Sequence, residues 1–259
     1  MTEKELIGIF DSGVGGLSIL KKLLPSGGHY LYFGDTKNVP YGNKTKEEII
    51  NFTRNIIEFF ISKGAKRVVM ACNTSSALAY DTLEKEFGTI IKIHPLIQTV
   101  APYIAREGNI IGIMSTCATA QSKTYTKEIL KANDKAVVYE LGCPDFVKIV
   151  EERLYDKKES VEYVKKYLDI LLDKGCEKIV LGCTHYPYLT DILTRFAPKD
   201  IFIDPAVFMT NIFKNNICSK ATVEYFVSGD PEEFRKSAKL FIDIKENINR
   251  VQADRVLSA

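Results

Sequence analysis

The chain has 259 residues, 46% of them hydrophobic and 26% charged, with 35 Lys and Arg against 33 Asp and Glu. That length buries a sizeable core as one or two domains, and a near-neutral chain without a basic run argues against a nucleic-acid partner. The opening Met1-Thr2-Glu3-Lys4-Glu5 lacks the apolar core of a signal peptide and no apolar stretch reaches bilayer length, so neither secretion nor a membrane partner is expected.

The first half alternates strand and helix signals. Residues 6–10 form a short apolar run, Asp11-Ser12-Gly13-Val14-Gly15-Gly16 a tight turn, and residues 17–24 a helix stopped by Pro25. A second strand covers 29–33 and ends at Gly34-Asp35, and the loop Asp35–Gly42 follows. Thr45 and Glu48 then make a capping box for a helix with Ile49, Phe52, Ile56 and Phe59 on one face, stopped by Gly64. Residues 67–71 are a third strand, leading to Cys72 and a helix over 75–83. Strands separated by helices of this length imply a parallel sheet covered on both faces.

The second half repeats the order. Residues 110–114 echo the first strand, 139–143 the second, and 160–174 are a helix with Val161, Val164, Leu168 and Leu171 on one face, closed by Gly175. It feeds a strand over 179–182. We therefore expect an α/β protein of two similar three-layer domains with largely parallel sheets and an active site in the cleft between them. The switch falls near Pro95 to Pro102. The boundaries are 1–97 plus 207–259 for the first lobe, carrying Asp11 and Cys72, and 98–206 for the second, carrying Cys183 and His185. The tail, with a strand over 222–228 and a helix over 231–243, is assigned to the first lobe.

Six cysteines, Cys72, Cys117, Cys143, Cys176, Cys183 and Cys218, contain no C-x-x-C pair and are too sparse for a disulfide scaffold, so free thiols in a reducing cytoplasm are expected. Two of them stand 111 residues apart in matched settings. Lys63-Gly64 leads through Val68-Val69-Met70 to Cys72-Asn73-Thr74, and Lys174-Gly175 leads through Ile179-Val180-Leu181 to Cys183-Thr184-His185. A lone free cysteine is most often a buried core residue. Two in register, each beyond a strand's carboxyl end where open α/β sheets bind ligands, point to one shared site. A helix start beside each thiol is expected to lower its pKa and to offer N–H groups to a carboxylate. Opposed acid/base groups suit inversion of a stereocentre: one thiolate removes a proton from one face while the other thiol delivers one to the opposite face.

The neighbouring motifs are less specific. The Asp11–Gly16 turn lacks the Gly-Lys-Ser/Thr of a phosphate loop, and Ser18 stands where a dinucleotide fingerprint needs its third glycine. Its glycines allow close backbone approach, with Asp11 or Ser12 as the cap; the other reading has Asp11 hold a substrate ammonium or orient a thiol. Tyr41 and Gly42 lie in a Pro/Gly turn that would line the same sheet edge. His185 is either a helix cap or a proton-relay partner of Cys183. A zinc site built from Cys72, Cys183 and His185 would need a tighter ligand cluster, and a Cys–His acyl-transfer pair would leave the second thiol idle. No metal is expected. Glu151 and Glu152 read as a solvated helix face.

Together these blocks resemble the glutamate racemase family. They are Ile9-Phe10-Asp11-Ser12-Gly13-Val14-Gly15-Gly16-Leu17, Tyr32-Phe33-Gly34-Asp35 with Val39-Pro40-Tyr41-Gly42, Ala71-Cys72-Asn73-Thr74-Ser75, Thr116-Cys117-Ala118-Thr119 with Ser122 and Tyr125, Phe146-Val147 leading to Glu151, and Leu181-Gly182-Cys183-Thr184-His185-Tyr186-Pro187. The resemblance covers nearly the whole chain. It implies a cofactor-independent racemase interconverting L- and D-glutamate for peptidoglycan synthesis, often a homodimer, with Cys72 acting on the D- and Cys183 on the L-enantiomer. It implies that Asp11, His185 and Glu151 or Glu152 assist, and that Asp11, Ser12, Tyr41, Gly42, Asn73, Thr74, Thr116, Thr119, Thr184 and His185 contact substrate. Ser115 where glycine is usual, Lys148 where proline is usual, and His94-Pro95-Leu96-Ile97-Gln98 depart from the pattern. The alternatives are an aspartate racemase or related two-cysteine racemase, which His185 after Cys183-Thr184 disfavours, a non-catalytic amino-acid-binding regulator, and a thiol metalloprotein.

Overall fold

The structure is a computed structural model and describes residues 5–213 and 220–251, so Cys218 lies outside the described residues. Among the described residues ten strands occur in chain order: β1 Leu6–Asp11, β2 His29–Gly34, β3 Arg67–Met70, β4 Lys92–Pro95, β5 Ile110–Ser115, β6 Val137–Gly142, β7 Lys178–Gly182, β8 Phe202–Ile203, β9 Thr222–Val227 and β10 Ile248–Arg250. They make a six-stranded sheet in the order β10-β9-β2-β1-β3-β4 and a four-stranded sheet in the order β6-β5-β7-β8. Every ladder among the described residues is parallel. The four strands β2-β1-β3-β4 repeat as β6-β5-β7-β8, so β3 and β7 occupy equivalent places.

Both faces of each sheet are covered, which is why the strands read as unbroken apolar runs. In β1, Ile7 and Ile9 enter one core and Phe10 the other; in β2, Tyr30 and Tyr32 enter the first, Leu31 and Phe33 the second. The first core also receives Ile111 and Ile113 of β5 and Val180 of β7. It is therefore shared by the two sheets, while Met114, Ile179 and Leu181 face a separate core on the far side of the second sheet. The helix Leu96–Ile104 lies in the shared core and packs against the helices Asn73–Leu78, Thr124–Ala132 and Ala206–Met209.

The long helices end as expected. Lys46–Ser62 starts at a complete Thr45/Glu48 capping box. Gly64 (φ +83°) donates to Ile61 O and Ala65 to Phe60 O, the paired bonds of a Schellman stop. Gly175 (φ +74°) and Cys176 repeat these bonds to Leu172 and Leu171 after the helix Lys158–Leu172. The same stop therefore aims the chain into β3 and into β7.

Several elements differ from expectation. β4, β8 and β10 have four, two and three residues, too short to show a period. The tail helix ends at Ala238 rather than 243. The tail strand β9 pairs with β2 in the first sheet, and β10, which was not expected, extends that sheet. After Cys183 a 3-10 turn, Tyr186–Leu189, comes first and leads into the four-residue α-helix Thr190–Leu193.

Candidate active site

Parallel sheets of the same order present equivalent strand tips. β1 and β3 bring Asp11 and Cys72 to the carboxyl edge of the first sheet; β5 and β7 bring Thr116 and Cys183 to that of the second. These edges face one another. Ser12, Tyr41, Gly42, Cys72, Asn73 and Thr74 from the first half and Thr116, Cys183, Thr184 and His185 from the second line one cavity, with Val39, Pro40 and Val147. Its volume is about 30 Å³, room for a water or two and no amino acid. A cavity of about 300 Å³ shares Val39, Pro40, Gly42, Thr116 and Val147 with it and is bordered by Lys148 and Glu151. A further cavity, about 380 Å³ between Gly13, Glu151 and the Pro231–Ala238 helix, contains neither thiol.

The contact between halves is polar and close. Asp11, buried, accepts from Gly13 N–H at 2.9 Å and from the Thr184 hydroxyl at 3.3 Å. It therefore caps its own turn and does not cap the Leu17–Leu23 helix, whose N-cap is Gly16. Gly15 allows this approach, because a Cβ there would overlap the Thr184 hydroxyl and lie 2.9 Å from His185 Cε1. The Thr74, Thr116 and Thr119 hydroxyls form a triangle with sides of 3.0, 3.3 and 2.9 Å. Thr116 meets the cavity, whereas Thr119 is fully buried behind it.

His185 links two acids of different kinds. Its Nδ1 lies 3.9 Å from Cys183 Sγ and its Nε2 3.1 Å from Glu151 Oε1. Glu151 ends the helix Phe146–Glu151 and reaches the site through this bond; Glu152 is exposed. Burial works against the imidazolium, but the bonds to Cys183 and Glu151 outweigh it and raise the His185 pKa to about 10. A histidine raised only in the folded state adds stability that is complete below its ordinary pKa of about 6.5 and is lost as pH rises toward 10. Glu151 is 40% exposed, which discounts the pair to about 1 kcal/mol. Glu151→Gln should therefore lower the Tm at pH 7 by about 2–4 °C. The gap should close by pH 10; melts with a gap independent of pH would break the assignment.

The expectation that a helix start lowers the Cys72 pKa is corrected. Burial in the closed cavity raises it to about 11, the Asp11 carboxylate adds to this, and the N–H and hydroxyl of Ser75 oppose it. Desolvation outweighs the partial charge of the six-residue helix Asn73–Leu78. Burial also raises the Asp11 pKa, against the opposing effect of His185.

Three contributors were quoted from sequence only within the family's blocks and given no role of their own. Asp35, at the tip of β2, accepts from Asn38 Nδ2, from the Tyr41 hydroxyl and, at 2.6 Å, from Ser228 Oγ. It thus folds the 35–42 loop back over the site and engages the Tyr41 hydroxyl. Its place one residue after a strand, like Asp11 at the end of β1, was a usable signal. Val147 lines the cavity and Tyr125 bonds Asn73 from behind it; nothing in the neighbouring sequence announces either contact. Among the described residues no group of three or more His, Cys, Asp or Glu is arranged to hold a metal, and no helix is long and apolar enough to cross a membrane.

The comparisons with known proteins agree with the fold. The glutamate racemase of Carboxydothermus hydrogenoformans is 37% identical over 257 residues, spanning 95% of this chain and 94% of that protein. The crystal structure of Francisella tularensis glutamate racemase in complex with D-glutamate superposes with a TM-score of 0.88 at 30% identity, covering 97% of this chain and 98% of the other. That of Thermus thermophilus glutamate racemase in complex with β-chloro-D-alanine gives 0.83 at 32%, with the same coverage. The fold and relatives define an amino-acid racemase, an isomerase. The family model described as Asp/Glu/Hydantoin racemase matches residues 18–211, and the chain belongs to that family.

Proposed function

We propose that this chain interconverts L- and D-glutamate without a cofactor, using Cys72 and Cys183 as a two-base pair. The observation that carries the reading is that two buried thiols, following equivalent strands of two sheets, line one cavity. One thiolate takes the α-proton, leaving the electron pair on carbon, and the opposite thiol gives its proton to the other face. Cys72 acts on the D- and Cys183 on the L-enantiomer. His185, held by Glu151, exchanges protons with Cys183; Asp11 serves Cys72 in the same way. A thiolate with a pKa near 11 is a stronger base than a free one, but the carbanion still needs stabilisation. Backbone N–H groups and the side chains of Ser12, Asn73, Thr74, Thr116 and Thr184 supply it in a water-excluded site.

The cavity is too small for the substrate, so the lobes, 1–97 plus 207–259 and 98–206, part to admit glutamate and close on it. We place the enzyme in the cytoplasm as a homodimer supplying D-glutamate for peptidoglycan.

The test is incubation with L-glutamate in deuterated water. D-glutamate carrying α-deuterium is the expected product. Activity with L-aspartate alone would reassign the substrate, and binding without exchange would leave an amino-acid-binding regulator.

A further inference from the structure

Tyr125 lies in the helix Thr124–Ala132 of the second half and is fully buried. Its hydroxyl donates to Asn73 Oδ1 at 2.7 Å. Asn73 opens the helix that follows Cys72 in the first half, is 3% exposed, and lines the thiol cavity. The bond therefore spans the two halves at the site itself. A primary amide has an accepting and a donating end. With Oδ1 engaged by a phenol, the amide has its two N–H bonds to offer to the cavity. The phenol remains a donor throughout the working pH range, since burial, with Glu140 and Cys183, raises its pKa well above the ordinary value.

We infer that Tyr125 is a positioning residue that fixes the Asn73 amide with its N–H₂ edge toward the cavity, as a donor to a substrate carboxylate. The inference rests on the two-thiol glutamate reading and adds to it a residue that orients one of its binding groups. Without the hydroxyl the amide is free to turn its oxygen toward an anionic ligand, which repels it.

The experiment measures KM and kcat for both enantiomers with Tyr125→Phe, together with D-glutamate affinity by calorimetry. One lost charge-assisted contact predicts a KM and Kd about tenfold higher, with kcat changed less than about twofold. L- and D-glutamate are equal in energy, so kcat/KM must fall equally in both directions. Asn73→Asp keeps an acceptor for Tyr125 but removes the donor, and it should weaken binding at least as much. A lower Tm with KM and Kd unchanged would reduce Tyr125 to a packing role and overturn the inference. So would a loss confined to kcat. If Tyr125→Phe does not fold, Asn73→Asp decides by the same constants. Wild-type protein that binds D-glutamate but does not racemise it would overturn the catalytic reading alone, and the Kd comparison would then judge Tyr125.

Discussion

Cys72→Ser and Cys183→Ser are each expected to reduce racemisation at least about 10³-fold with little change in the thermal melt. A serine hydroxyl has nearly the volume of a thiol but is too weak an acid and too poorly ionised to replace either role. The thiols are 5% and 8% exposed, so the exchange leaves packing almost intact. The residual chemistry should be one-sided. Each variant keeps a single base, so it should exchange the α-proton of one enantiomer with solvent and leave the other untouched, and the two variants should show opposite preferences. Cys176→Ser is the control, since this buried thiol packs against Gly112, away from the cavity. Near-normal turnover in either site variant, or the same enantiomer preference in both, would end the two-base assignment.

Gly15→Ala is expected to be almost as damaging for a purely steric reason. The new methyl would overlap the Thr184 hydroxyl and come within 2.8 Å of Thr184 Cβ. Neither neighbour is the end of a flexible chain. Thr184 follows Cys183 and also donates to Asp11. The methyl is therefore a wedge between the tip of β1 and the tip of β7. Overpacking of this kind costs about 1–3 kcal/mol, and it holds the halves apart where the proposed mechanism needs both thiols at one carbon. Turnover should fall about 10²-fold, and Cys72 should become more reactive toward alkylating reagents as water reaches it. Lost turnover with Cys72 still as inert as in the wild type would show that the methyl acts in some other way.

Much of the fold was legible because its signals are local. The Thr45/Glu48 capping box, the apolar faces of the two long helices, and the glycine stops at Gly64 and Gly175 are written within a few residues of where they act. Repetition of that grammar placed Cys72 and Cys183 after equivalent strands. The very short strands β4, β8 and β10 escaped because they carry no period.

The pattern of residues thus determined the element order, the doubled α/β plan and the pair of candidate thiols, since hydrogen-bonded turns and amphipathic faces are properties of short segments. Folding in space decided which groups meet: Glu151 with His185, Tyr125 with Asn73, Asp11 with Thr184, each far apart in the chain. It also set the Cys72 pKa above that of a free thiol, contrary to the expectation from its helix start. Burial and long-range electrostatics are sums over neighbours brought from every part of the chain, and no stretch of sequence holds those sums by itself.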